Sequence, residues 1–155
     1  MTRCYLGLGS NLHSPLRQLR RAVDSIRKLP RTALVHVSKI YVSHPLGVHS
    51  QPNYFNLVVA IETSLPAIQL LRLCQAIEHK QHRVHKQHWG ARTLDIDLLL
   101  YDKKTINTQT LTIPHPQMLK RDFVLVPLLD IAPKACLPDN QLIADYLTNC
   151  DRYLV

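Results

Sequence analysis

Two carboxylates interrupt an apolar stretch of the chain. Asp95 and Asp97 stand two residues apart in "TLDIDLLLY", whose other residues are typical of a buried strand. Alternate residues of a strand point to the same face, so both carboxylates project together, ~6.6 Å apart along the backbone. Burying an ionised carboxylate is costly unless it is paired, hydrogen-bonded or bound to a metal. This spacing allows a site for two Mg²⁺ ions, which accept a few carboxylates and complete their shells with water and phosphate oxygens.

The residues on either side of this strand bear on that interpretation. For an isolated Asp-x-Asp pair, a structural ion pair with Arg92 at a sheet edge is the simpler explanation. Here Trp89 and Arg92 precede the strand, and His115, Arg121 and Phe123 follow it. Arginine forms a fork of donors suited to phosphate, so these neighbours favour a phosphate site. The segment "GLGSN" at 7–11 lacks the pattern of a Walker loop, which argues against a P-loop kinase.

Length and composition indicate a single domain over residues 1–155. The chain has 155 residues, 46% of them hydrophobic, and its apolar runs are too short to span a membrane. Its four cysteines are far apart and form no metal-binding pattern, which favours a reduced, cytoplasmic protein. A net charge of +8 favours an anionic partner such as a nucleotide or a nucleic acid.

Hydrophobic periodicity and turn residues predict the order of the elements. Strand, helix, two strands, helix and strand follow one another, which is the β-α-β-β-α-β order of an α+β, ferredoxin-like sandwich. We expect a central antiparallel sheet with helices packed on one face. Ser14 is the expected N-cap of the first helix, and Gln75 and Glu78 should share one side of the second. The predicted segments are strands at 4–9, 32–42, 54–63, 93–101 and 110–113, and helices at 15–29, 66–81, 123–131 and 140–147.

Several segments together resemble the 6-hydroxymethyl-7,8-dihydropterin pyrophosphokinase family of the folate pathway. The segment "HWGARTLDIDLL" is similar to the family signature in the register of Arg92, Asp95 and Asp97. Further similar segments are "YLGLGSN", "HPLG", "QPNYFN" and "IPHPQMLKRDFVLVPLLDIAP", so the resemblance covers nearly the whole chain. It implies transfer of pyrophosphate from ATP to the pterin hydroxymethyl group, with release of AMP and with two Mg²⁺ ions as cofactors.

The resemblance also implies roles for individual residues. Arg92, Asp95 and Asp97 would be catalytic, and the two aspartates would hold the metal ions. Tyr54 and Phe123 would stack on the pterin, while Asn56 would read its hydrogen-bonding edge. The implied ATP contacts are Gln75, Glu78, His85, Trp89, Arg92, Leu98, His115 and Arg121. The implied pterin contacts are Ser43, His44, Leu46, Tyr54, Asn56, Asp95 and Phe123.

Two other functions compete with this interpretation. Ferredoxin-like sheets also carry RNA-binding domains, and the chain is basic, but the aromatic strand motif of those domains is missing and a nucleic-acid surface has no use for paired aspartates. Another Mg²⁺-dependent transferase with an Asp-x-Asp site, for nucleotidyl or glycosyl groups, would also explain the aspartates. We expect a monomer that binds small-molecule substrates, with no nucleic-acid and no membrane partner.

Overall fold

A computed structural model describes residues 1–47, 50–81 and 93–155. The elements within these ranges alternate between strands and helices in the predicted order. The strands are β1 (Thr2–Ser10), β2 (Thr32–Val37), β3 (Tyr41–Ser43), β4 (Tyr54–Thr63), β5 (Asp95–Tyr101), β6 (Ile106–Asn107) and β7 (Thr112–Ile113). The helices are α1 (Pro15–Arg27), α2 (Ala67–Lys80) and α3 (Asp122–Ile131), with 3₁₀ turns at Met118–Lys120 and Ile143–Asn149.

The main sheet is antiparallel, with β1 and β4 in its centre. Its order is β2-β4-β1-β5, and β3 also pairs with β4. β1 pairs with β4 along its whole length, from Thr2 opposite Thr63 to Ser10 opposite Phe55. β1 also pairs with β5 on its other side, where Gly9 faces Asp95. The predicted β-α-β-β-α-β order is therefore confirmed.

The segment predicted as one strand over 32–42 forms two strands. The break falls at Ser38, whose hydroxyl accepts the Val58 N–H at 2.9 Å, while the Ser38 N–H donates to the Val58 carbonyl at 2.9 Å. A side-chain oxygen here takes the place of a main-chain acceptor, so the regular ladder is interrupted. β3 then resumes pairing with the first residues of β4.

Helices cover both faces of the sheet, so the expectation of helices on one face alone is wrong. One core lies between the sheet and α1 and α2, and includes Leu6, Val59 and Leu98. A second core lies between the sheet and α3, and includes Val58 and Leu125. The apolar run in β4 is buried on both faces, which is why both faces need a cover.

Gln75 and Glu78 lie three residues apart on α2 and so share a side of the helix as predicted, but they differ in burial. The residues of α2 that face the sheet are Leu70, Cys74, Ile77 and Glu78, while Gln75 is exposed. The Glu78 carboxylate is buried and accepts the N–H of Ile96 at 2.8 Å. Because β5 is the edge strand of the sheet, Glu78 satisfies a main-chain donor that has no neighbouring strand on that side.

Smaller differences concern the ends of elements. Ser14 precedes α1 as predicted but has a left-handed φ of 62° and makes no side-chain cap. The strand predicted from 110 shortens to Thr112–Ile113 and pairs with Ile106–Asn107. α3 begins one residue earlier than predicted, at Asp122, and the last helix is a 3₁₀ turn that starts at Ile143.

All four cysteine thiols are free. Burial raises the pKa of Cys4 and of Cys74 to about 12, so both are protonated thiols packed in the core at neutral pH. Within residues 1–47, 50–81 and 93–155, no helix has the length and apolar character needed to cross a membrane.

Replacing Glu78 by alanine should destabilise the fold. The buried N–H of Ile96 would lose its acceptor, and we expect the free energy of unfolding to fall by about 1–3 kcal/mol. Urea unfolding of the variant and the parent measures this change. Gln75→Ala, on the exposed side of the same helix, is the control and should change stability by no more than about 0.5 kcal/mol. Equal effects of the two substitutions would contradict the buried role of Glu78.

Candidate active site

A cavity of about 330 Å³ opens between the sheet, the loop after β3 and the start of α3. Its size is that of a small-ligand site. Residues that are far apart in the chain meet here, including all those predicted to bind the pterin. The predicted site residues that line it are Ser43, His44, Leu46, Tyr54, Asn56, Asp95, Asp97, His115, Arg121 and Phe123.

The floor of the cavity is β1, which exposes no side chain at Gly7 and Gly9. Gly9 lies between Asn56 of β4 and Asp95 of β5, and Gly7 lies between Val58 and Asp97. A Cβ on Gly9 would come within 3.3 Å of the Asn56 side-chain oxygen. The alternate residues of β1, Leu6 and Leu8, point into the core on the opposite face. The two glycines therefore leave the space that a ligand would fill.

The loop after β3 is attached to the end of β1. The buried Asn11 amide donates to the Gln51 side-chain oxygen at 2.9 Å and to the Pro52 carbonyl at 3.0 Å. These bonds hold the part of the loop that precedes Tyr54. Asn11, the residue directly after β1, thus also fixes one wall of the cavity.

Asp95 and Asp97 project from β5 into the cavity, as the strand periodicity predicts. Ile96 and Leu98, between and after them, are buried on the other face. The Asp97 side chain lines the cavity and is 47% exposed. In the part of the chain that the structure describes, no group of three or more His, Cys, Asp or Glu side chains is placed to hold a metal ion. Two carboxylates nevertheless fit Mg²⁺, which takes its other ligands from water and substrate phosphates.

His115 is held beside Asp97 by an irregularity in β5. The pairing with β1 shifts between Leu98 and Leu100, which leaves Leu99 as a bulge whose carbonyl accepts the His115 N–H at 3.0 Å. The Gln117 N–H donates to Nδ1 of His115 at 3.2 Å, so in the neutral ring the proton is on Nε2. Nε2 lies 3.9 Å from the Asp97 carboxylate.

Burial lowers the pKa of His115 below its ordinary value of 6.5. The Asp97 carboxylate acts in the opposite direction and the Arg121 cation adds to the lowering. His115 is therefore neutral at pH 7, with its Nε2–H available to donate to an anionic group in the cavity.

Asn56 is oriented by three acceptors on β3 and β4. Its amide donates to the Ser43 hydroxyl at 2.9 Å, to the Tyr41 carbonyl at 3.1 Å and to the Tyr54 carbonyl at 3.5 Å. These bonds fix which side of the carboxamide is nitrogen. Asn56 is 5% exposed, so it presents a fixed polar group at the end of the cavity.

At the start of α3, the Arg121 guanidinium lies over the Phe123 ring, 5.7 Å from its centre. Both residues line the cavity. A cation and an aromatic surface thus come to the same wall of the cavity.

Several predicted site residues do not line this cavity. The Leu98 side chain is buried in the core with α1 and α2, and Glu78 and Gln75 lie on α2 at that same face of the sheet. His85, Trp89 and Arg92 lie outside the described residues. The roles that the family resemblance implies for all six residues stay predictions.

Gly7, Gly9 and Gln117 also line the cavity but are not predicted from the sequence. The signal for the glycines is present in "YLGLGS", where leucine and glycine alternate. In a strand this pattern leaves one face without side chains, which indicates that a ligand or another segment approaches that face closely. Gln117 acts through its main-chain N–H, which leaves no trace in the residue type.

A cavity that combines two carboxylates and a cation with aromatic rings and a fixed amide suits the transfer of a phosphoryl group to a flat aromatic substrate. On these grounds the chain falls in the class of ferredoxin-like phosphoryl-transfer enzymes. Residues 5–133 match the model of the 7,8-dihydro-6-hydroxymethylpterin-pyrophosphokinase (HPPK) family. The chain belongs to this family, as the sequence resemblance predicted.

Curated relatives and solved structures agree. The chain is 47% identical to the 2-amino-4-hydroxy-6-hydroxymethyldihydropteridine pyrophosphokinase of Haemophilus influenzae over 94% of this chain and 91% of the relative. It is 45% identical to the enzyme of that name from Pseudomonas aeruginosa, over 96% of this chain and 91% of the relative. A crystal structure of Plasmodium falciparum HPPK-DHPS with SDX-DHP has a TM-score of 0.74 at 15% identity. This chain is covered over 96% of its length but spans only 43% of that larger protein, and the likeness confirms the predicted ferredoxin-like fold.

The lowered pKa of His115 can be measured by NMR titration of its imidazole nitrogens without nucleotide or metal. We expect a midpoint below 6.5, because burial disfavours the charged ring. Asp97→Asn should lower the midpoint further, since the carboxylate stabilises the imidazolium. A midpoint above 6.5 in the parent would show that burial does not dominate, and a rise in the variant would contradict the stabilising effect of Asp97.

Proposed function

We propose that the chain transfers an intact pyrophosphoryl group from ATP to the hydroxymethyl oxygen of 6-hydroxymethyl-7,8-dihydropterin. The hydroxymethyl oxygen attacks the β-phosphorus of ATP, the bond from that phosphorus to the α-phosphate oxygen breaks, and AMP leaves. The observation that carries the proposal is a single cavity that joins the Asp95 and Asp97 carboxylates to Tyr54, Asn56 and Phe123. Family membership gives it independent support.

The pterin would lie over the bare face of β1. A flat bicyclic ring fits between Tyr54 and Phe123, which gain from stacking on its faces. Asn56 would read the polar edge of the ring, because its carboxamide is already oriented by Ser43. Ser43, His44 and Leu46 would close the pocket, and the Asp95 carboxylate would face the hydroxymethyl group.

The nucleotide phosphates would lie beside Asp97, where cations are available. Arg121 and the neutral His115 would donate to phosphate oxygens, and Arg92 would supply a further fixed charge from the segment before β5. Gln75, Glu78, Trp89, His85 and Leu98 are proposed for the ATP site on the family resemblance alone. Transfer of this kind depends on alignment and charge stabilisation more than on covalent participation by the protein.

Asp95 and Asp97 would hold two Mg²⁺ ions, which fits their placement on one strand face and the preference of Mg²⁺ for oxygen ligands. When bound, such ions supply neutralisation of phosphate charge and a lower pKa for the hydroxymethyl group. The protein would contribute by fixing the two carboxylates on a rigid strand. The hydrogen bond from the Ile96 N–H to Glu78 of α2 holds that strand in place.

We also propose that residues 1–155 act as a single catalytic domain and as a monomer in the cytoplasm, with no nucleic-acid partner. Both cores share the same sheet, which favours one folding unit. Four free thiols suit a reducing compartment.

Asp95→Asn and Asp97→Asn should each lower turnover by about 10²–10³-fold or more, because one charge that faces the reacting phosphates is lost. Formation of AMP that depends on the hydroxymethyl pterin is the measurement. Binding of the pterin alone, followed by its fluorescence, should change little in Asp97→Asn.

Asp145→Asn, an exposed carboxylate on the last 3₁₀ turn, is the control for loss of a negative charge. Near-parental turnover in both site variants would remove the catalytic assignment. Release of pyrophosphate by the parent would indicate nucleotidyl transfer, and retention of RNA without any turnover would indicate a nucleic-acid module.

Gly9→Ala should weaken pterin binding about tenfold, because its methyl group presses on the Asn56 oxygen and occupies the cavity floor. The nearest neighbour of a Cβ on Gly7 would be the Leu99 side chain at 3.5 Å, an ordinary contact, so Gly7→Ala is a control that adds a methyl group to the same floor without pressing on Asn56 and should weaken binding less. Fluorescence titration with 6-hydroxymethylpterin compares the two. If both substitutions weakened binding equally, the floor at Gly9 would have no special place in the site.

A further inference from the structure

Residues 151–155 connect two walls of the cavity. On one side, the His44 N–H donates to the Tyr153 carbonyl at 2.7 Å, and the Val155 N–H donates to the Val42 carbonyl at 2.9 Å. These bonds extend the sheet beyond β3, with Leu154 bridged to Ser43. The segment therefore holds the wall that carries Ser43 and His44.

On the other side, the same segment is bound to the start of α3. The Asp122 carboxylate accepts the N–H of Tyr153 at 2.9 Å and the N–H of Leu154 at 3.1 Å. The Asp122 N–H donates to the Asp151 carbonyl at 3.2 Å, and the Asp151 N–H donates to the Lys120 carbonyl at 2.9 Å. Asp122 is 7% exposed, so this is a buried carboxylate with both oxygens satisfied by main-chain donors.

The neighbours of Asp122 in sequence are the residues that reach the cavity. Arg121 and Phe123 both line it, and the Phe123 ring meets the Tyr153 ring edge-on, with centres 5.7 Å apart and planes at 75°. The Phe123 ring is thus packed between the Arg121 guanidinium and Tyr153. Its position depends on residues 151–155 as well as on α3.

We infer that Asp122 is a positioning residue which, through residues 151–155, sets the separation of the two walls that enclose the pterin. The inference rests on the proposed function, since it assigns a ligand to the cavity. Asp122 touches no substrate; it acts by fixing Phe123 against Tyr153 while Tyr153 and Leu154 hold Ser43 and His44. Loosening this connection would widen the slot for a flat ring, while Asp95, Asp97 and His115 keep their positions, so pterin binding should weaken more than nucleotide binding.

Asp122→Asn is the direct test. An amide keeps one acceptor oxygen but turns a donor toward the second main-chain N–H, so one of the two bonds is lost. We expect the dissociation constant for 6-hydroxymethylpterin to rise about tenfold, with that for an ATP analogue in the presence of Mg²⁺ changed by less than about threefold. The KM for the pterin should rise more than kcat falls.

Tyr153→Ala provides a second variant in case Asp122→Asn does not fold. It keeps every main-chain bond of residues 151–155 and removes only the ring that supports Phe123. We expect about a threefold loss of pterin affinity, with Tyr153→Phe close to the parent. Asp145→Asn is the matched control for a carboxylate replaced by an amide, and circular dichroism confirms that each variant is folded.

Pterin affinity within about twofold of the parent in folded Asp122→Asn and Tyr153→Ala would overturn the inference. Equal losses of pterin and nucleotide affinity would overturn it too, since they would indicate general loosening of the fold. A parent protein that fails to bind the pterin would instead refute the proposed function, so the two failures are distinguishable.

Discussion

The site depends on the pairing of β1 between β4 and β5. This register places Gly9 directly between Asn56 and Asp95, so the amide and the carboxylate stand on either side of a bare backbone. The two side chains come from segments that are far apart in sequence, and only the ladder brings them together. Main-chain hydrogen bonds thus determine the spacing of the groups that would meet the substrate. Gly7 and Gly9 leave this face of β1 without side chains, so the substrate has room.

Much of this arrangement can be predicted from the sequence because strand periodicity is strict. Two aspartates at alternate positions of a strand lie on the same face of the sheet, and both Asp95 and Asp97 of β5 line the cavity. The β-α-β-β-α-β order follows from apolar patterns and from turn residues. The pterin residues, by contrast, came from the family resemblance. Nothing in the local pattern of Tyr54 or Phe123 indicates that their rings reach one cavity.

Other features depend on contacts between distant segments, which a single sequence does not encode locally. Glu78 resembles a solvated residue in the sequence, although it is buried and satisfies the edge N–H of Ile96. Ser38 interrupts a strand through its hydroxyl, where β-propensity alone predicts continuity. Asp122 and Tyr153 likewise show no motif, since the groups they contact lie about thirty residues away in the chain.

The alternation of leucine and glycine along β1 restricts how chains of this kind can change length during evolution. Gain or loss of one residue between Leu6 and Ser10 would reverse the faces of the residues beyond it. A leucine side chain would then fill the cavity, and the core against α1 would lose its packing at the same time. Length variation among relatives should therefore be concentrated in connections such as the one between β5 and β6, whereas β1 should keep a constant length.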